Sequence, residues 1–226
     1  MTKSLSLGFA AAVSLLLAVI AGNTPAAADP YAICKSQTYA LCASAQAFVY
    51  QEVSYAKCIV KNGNSISAPP LTYQDGNQEK NICNFNAEGV GNGYMASTFS
   101  LPPEVTKVGG KEALYTCPGG STGDYAQCDG GTCFTSTQGK TFPGVGKLGP
   151  DEIVCSCPIT KTSTSAAPFG YQFIGPFPCQ PAAFSACNLK AKNGDIIPVG
   201  SPPGAGRALS RALYGRNFRI NECFMQ

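Results

Sequence analysis

The residues of this 226-residue chain best equipped for chemistry are its twelve cysteines, and the closest pair, Cys155-Ser156-Cys157, suggests thiolate metal binding or redox exchange. Its spacing argues against both, since zinc knuckles and thioredoxin-like sites use Cys-Xaa-Xaa-Cys. Two bridged cysteines on one strand face explain the triplet better. The chain has no histidine. That removes Ser-His-Asp and Cys-His catalysis, histidine general bases, histidine-bearing zinc sites and the usual c-type haem attachment. Three methionines, one the initiator, do not support a thioether copper site, and no cofactor or metal is implied. Ser54-Tyr-Ala-Lys57 matches the Ser-Xaa-Xaa-Lys of penicillin-binding enzymes, but the Lys-Thr-Gly partner element is missing. Asp124, Asp129, Asp151 and Glu152 cluster in the sequence, and paired carboxylates are all that glycoside hydrolysis needs. Adjacent Asp151 and Glu152 would point to opposite faces of a strand, and such acids ordinarily form turns.

Two surface chemistries remain. Twenty-two aromatic residues occur without a tryptophan, among them Tyr39, Phe48, Tyr50, Tyr55, Tyr171, Phe173 and Phe177. An exposed tyrosine presents an apolar face and a hydrogen-bonding tip, suited to sugars or to a protein partner. All four arginines, Arg207, Arg211, Arg216 and Arg219, lie in the last twenty residues. Their guanidinium forks are shaped to hold the phosphate or carboxylate groups of an anionic polymer. They are the candidate ligand-binding residues.

The elements that must position these groups are marked by an echo. Tyr39-Ala-Leu-Cys42 returns as Tyr125-Ala-Gln-Cys128, and Ser67–Gln74 returns as Ser165–Gln172 with five of eight positions identical. Tyr39 to Lys57 alone has helical spacing, but its counterpart carries paired glycines and β-formers, so both are read as strands. Each copy is then a strand through Tyr-Ala-Xaa-Cys, a connection, and a strand returning through Cys58 or Cys157. Thirteen extra residues lengthen the second connection, and Thr135 to Pro150 becomes the expected contact surface.

The expected bridges follow. Cys133 and Cys155 replace Ala47 and Ala56 together, which a bond between them predicts. Cys42 pairs with Cys58 and Cys128 with Cys157 across the hairpins, which leaves Cys34 with Cys83, Cys117 with Cys179, and Cys187 with Cys223. Each bridge contributes about 2 to 4 kcal/mol, mainly by restricting the unfolded chain.

Residues 1–28 read as an export signal: Lys3, then an apolar run from Leu5 to Ile20, then Ala26-Ala-Ala28. An even cysteine count fits export, to the cell exterior or the periplasm, with every sulfur oxidised. No later stretch reaches the roughly 20 apolar residues of a membrane span, and Ile33 before Cys34 argues against a lipid anchor. Net charge is +3, or +2 without Lys3, too small for general attraction to nucleic acid. The expected organisation is a signal peptide over 1–28, a first β repeat over 29–110, a second over 111–185, and a basic tail over 186–226 tied by a disulfide. In the tail, Arg207 to Tyr214 spaces arginines and leucines four apart and ends at Gly215, an amphipathic helix. The fold class is thus all-β: two disulfide-stapled β-hairpin pseudo-repeats with a short C-terminal helix. The expected function is a non-enzymatic binding protein for an envelope glycan, an anionic polymer or a protein partner. The alternatives are a structural subunit of an extracellular assembly and a carboxylate-dependent glycan hydrolase.

Overall fold

The computed structural model describes residues 31–67, 72–100, 108–161 and 170–225; the segment expected to be an export signal lies outside the described residues. Three strands open the fold: β1 (Ala32–Leu41), β2 (Gln46–Tyr50) and β3 (Val53–Ser67). Long β3 serves β2 along its first half and β1 along its second. The β2–β3 turn is only Gln51 and Glu52, both at positive φ (47° and 66°), as a type I′ turn requires. Neither is glycine, so the turn is strained, and the Asn193 side chain braces it by accepting the Gln51 N–H at 3.2 Å.

A small hairpin, β4 (Thr72–Asp75) and β5 (Gln78–Asn81), leads into α1 (Ile82–Gly89) and then β6 (Tyr94–Ala96). Next come β7 (Glu112–Thr116), β8 (Asp124–Ala126), β9 (Thr132–Phe134), the two-residue strands β10 (Thr141–Phe142) and β11 (Gly146–Lys147), β12 (Glu152–Lys161) and β13 (Gln172–Pro176). A 3₁₀ helix over Pro181–Asn188 precedes β14 (Ile196–Pro198), β15 (Gly200–Ser201), α2 (Ala205–Tyr214) and β16 (Glu222–Phe224). The fold is mainly β, as expected. It is not two hairpins with one terminal helix: helices also stand at Ile82–Gly89 and Pro181–Asn188, and the strands merge into larger sheets.

The main sheet has eight strands in the order β14-β2-β3-β12-β9-β6, with β1 extending β3 and β8 extending β12. Its centre is the antiparallel pair β3·β12, where Ala56 faces Cys155. Outward from that pair the two sides match in register. Ala47 faces Ala56 as Cys133 faces Cys155, and Ile197 faces Ala47 as Met95 faces Cys133. The outer strands are exchanged between halves of the chain. β6 pairs with β9 while the following Ser97 bridges back to Ala40; β14 pairs with β2 while Val199 bridges to Ala126.

This correspondence corrects part of the sequence echo. Tyr73 and Gln74 lie in the β4–β5 hairpin, whereas Gln172 lies in β13 opposite Thr116 and the Tyr171 carbonyl accepts the Cys117 N–H. The place of Tyr171 opposite Cys117 is held in the first half by Ser65, opposite Cys34. The Ser67–Gln74 likeness is therefore not structural where both segments are described.

Every cysteine is bridged: Cys34–Cys83, Cys42–Cys58, Cys117–Cys187, Cys128–Cys157, Cys133–Cys155 and Cys179–Cys223. Four pairs agree with expectation. Cys117–Cys179 and Cys187–Cys223 do not, because the helix that docks on the sheet after each returning strand carries the counterpart sulfur. That sulfur is Cys83 in α1 and Cys187 in the 3₁₀ helix. Cys179 is left to bind Cys223 of β16, which runs parallel to β7 at the edge of a second, four-stranded sheet, β15-β13-β7-β16.

Two cores result. Beneath the main sheet the buried residues are small: Ala40, Ala47, Ala56, Ala126 and six cysteines, with Val49, Ile153 and Ile197. The second core is aromatic, with Tyr125 stacked on Tyr171 at 4.8 Å and Tyr115 on Phe173 at 5.3 Å. Since Ala47 and Ala56 fill in one half the register places of Cys133 and Cys155, the double variant Cys133→Ala/Cys155→Ala should fold. Urea denaturation should show a loss of about 3 kcal/mol for the opened 22-residue loop. A double variant without cooperative unfolding would show that this bridge is required for the fold itself.

Candidate functional site

α1 builds one wall of an open groove. Asn81 caps it, its side chain accepting the N–H groups of Cys83 (2.9 Å) and Asn84 (3.3 Å), while Asn84 accepts the Asn81 N–H. Buried Asn86 docks the helix on two strands, donating to the Thr38 carbonyl at 2.5 Å and accepting the Ala96 N–H at 2.8 Å. At its end a Cβ on Gly89 would lie 2.3 Å from the Tyr94 ring, so only glycine lets that ring lie against the helix.

Three half-buried rings follow in contact. Phe85 lies 4.8 Å from Tyr94 and meets Tyr73 edge-on at 5.9 Å. With Thr72, Ile82, Glu88, Gly130 and Thr132 they line a groove of about 410 Å³. The Tyr73 hydroxyl donates to Glu88 Oε2 at 3.1 Å, and Lys80 pairs with Glu88 at 2.5 Å and with Asp75. Those two carboxylates, Asp75 foremost, hold the Lys80 ammonium well above its ordinary range. Desolvation, then the bond to Glu88, pushes the Tyr73 phenol up. The groove thus joins an aromatic wall to a carboxylate, Glu88, that Lys80 holds in place, the mostly apolar lining with a few placed polar groups that small ligands use.

A second groove, about 380 Å³, opens near β2 and β14. The lengthened connection between β9 and β12, expected to be a contact surface, folds back over the sheet here and makes one of its walls. Phe142 lies 5.5 Å from Tyr55, and the Gly144 backbone, at φ +74°, packs so closely on Phe48 that a Cβ would lie 2.2 Å from the ring. Glu152 anchors this loop, accepting the Gly149 N–H at 2.7 Å and pairing with Lys57 at 2.8 Å. A smaller pocket of about 50 Å³ near Phe99, Phe173 and Leu209 has room for no more than a few waters.

The structure places the residues singled out from sequence as follows. Arg207, Arg211, Arg216 and Arg219 are all exposed, on α2 and just after it. Arg207 is held by Glu222, with its Nη2 at 2.5 Å, and Arg216 lies 4.9 Å over the Phe218 ring. Asp124 is buried, accepting the Ala191 N–H with Lys190 3.6 Å away. Asp129 accepts the Ser67 hydroxyl at 2.9 Å. Ser54 is buried and donates to the Cys157 carbonyl at 2.7 Å, while Lys57, three residues on, lies on the opposite strand face. Tyr39, Tyr171 and Phe173 are core; Tyr50 and Phe177 are exposed. The sulfurs of Cys42, Cys58 and Cys155 approach within 4.8 Å of one another, the spacing of a metal cluster, but each is in a disulfide and offers no thiolate. Among the described residues no catalytic constellation is evident, and no helix is long and apolar enough to cross a membrane.

The aromatic groove was missed because its parts are scattered and α1 has a weak signature. Asn81-Xaa-Xaa-Asn84, a capping box in asparagine, was the available signal, with Phe85 and Glu88 one turn apart on the same face. Comparison with protein families, curated proteins and solved structures finds no match for this chain.

The bond from Lys57, then that from the Gly149 N–H, holds the Glu152 carboxyl below its ordinary range. A depressed carboxylate stabilises above its unfolded value, about 4.3, and that contribution is lost as pH falls through the lower folded value. Acidification below pH ~4 should therefore shift the Gly149 amide resonance and speed hydrogen exchange over residues 140–149 before the main sheet responds. In Glu152→Gln that early change should be absent.

Proposed function

We propose that this chain is an exported, non-enzymatic binding protein made of two related, strand-exchanged units, and that its ligand is a glycan held in the aromatic groove. The observation that carries the reading is the contact series Tyr73, Phe85 and Tyr94 beside the Glu88–Lys80 pair. A pyranose has the complementary pattern: a C–H face that packs on rings, and an edge of hydroxyls that donate to carboxylate and accept from ammonium. Complete pairing of twelve cysteines supports export. The matching registers around Ala56·Cys155 support two related units. Binding without cleavage fits the carboxylates that were hydrolase candidates, since Asp124, Asp129 and Glu152 are each engaged in holding backbone or side chains.

The arginine tail is the rival site, for an anionic polymer or an acidic protein. Calorimetry with a panel of neutral and acidic oligosaccharides separates the two. Tyr73→Ala and Tyr94→Ala should each weaken binding of a neutral oligosaccharide about tenfold or more, the worth of a buried ring face. Reversing the charge of Arg211, Arg216 and Arg219 together should leave that affinity unchanged. Binding confined to acidic chains, lost on charge reversal and kept in the ring variants, would transfer the function to the tail.

A further inference from the structure

We propose that the groove beside β2 and β14 is a second glycan site, for a neutral sugar ring, built at the register-equivalent place on the other half of the main sheet. The inference rests on the glycan reading of the aromatic groove and extends it. Ser44 and Gln46 stand two and four residues after Cys42, as Gly130 and Thr132 stand after Cys128, and all four line a groove. Ile196 faces Phe48 across the strands as Tyr94 faces Phe134, and Ile196 and Tyr94 each line the groove on their own side.

The chemistry is related as well. Lys57 and Glu152, 2.8 Å apart and both partly open to solvent, line this groove with an ammonium and a carboxylate, where the first groove has the Glu88 carboxylate held by Lys80. Vicinal hydroxyls match such a pair, one donating to the carboxylate and its neighbour accepting from the ammonium. Phe48, Ile59, Val145 and Ile196 provide the apolar surface for the ring face. The charge of the pair selects the ligand: Glu152 repels an acidic sugar and Lys57 a cationic group, so a neutral ring suits both. With aliphatic side chains in place of stacked rings, and the Gly144 backbone already on Phe48, this site is the weaker of the two.

Titration of the ¹⁵N-labelled protein with neutral cello-, chito- and manno-oligosaccharides tests this. Two sets of saturating amide shifts are expected, a tighter one at Tyr94 and Thr132 and a weaker one at Gln46 and Val145. Glu152→Gln should abolish only the weaker set. Ile196→Asp, at a side chain 45% exposed and therefore safe for folding, should do the same, lowering affinity at that groove at least tenfold. Shifts confined to the aromatic groove would overturn the second site and leave the first standing. Shifts at Gln46 and Val145 that persist in both variants would overturn it too, and silence at both grooves would remove the glycan reading itself.

Discussion

The structure depends on the antiparallel pairing of β3 with β12, and on the small side chains buried under it. Ala56 faces Cys155 at the centre, with Ala47 and Cys133 beside them, so the sheet's inner face presents alanine and sulfur where most sheets present leucine and isoleucine. At about 25 cal/mol per Å² of apolar surface, alanine contributes little by burial. Three disulfides, Cys42–Cys58, Cys128–Cys157 and Cys133–Cys155, lie within that layer and restrict the unfolded chain instead. The bulkier aromatic core gathers under the second sheet, where Tyr115 and Tyr171 are fully buried with their hydroxyls on the Pro176 and Ala186 carbonyls.

Such a frame spends its sulfur on shape. The outward face carries the recognisable surface chemistry: rings at Tyr73, Phe85 and Tyr94 on one side, Phe48 and Tyr55 under the long loop on the other. That loop makes the two sides unlike. It lays a glycine backbone on one phenylalanine ring, while the equivalent Phe134 is 41% exposed. Glu152 helps tie the loop down through an amide and an ammonium, beside the Phe142–Tyr55 contact and the loop's own backbone bonds.

How much of this was legible follows from range. The strand class of Tyr39 to Lys57 and the bond between Cys133 and Cys155 came from comparing one segment with another, and needed no knowledge of long-range packing. α2 was legible because its period and its Gly215 cap are local. The Cys117 and Cys223 partners were not, because Cys179 precedes the second docking helix and Cys187 lies within it, a difference visible only once α1 and the 3₁₀ helix are seen in the same role. Strand exchange was also hidden. Short β6 and β14 have no pattern that says which half they complete. The aromatic groove draws on a hairpin, a helix and two strands from both halves, and the arginines drew attention only because they were clustered.

The exchange of β6 and β14 makes distant parts of the chain depend on each other. The edge that β2 offers is covered only by Ile196–Pro198, 146 residues beyond Tyr50, and β6 finds its partner strand in β9. Each half completes its share of the main sheet with a strand of the other. A polypeptide cut short before Ile196 would carry β2 with one side unpaired, a bare strand edge open to another chain.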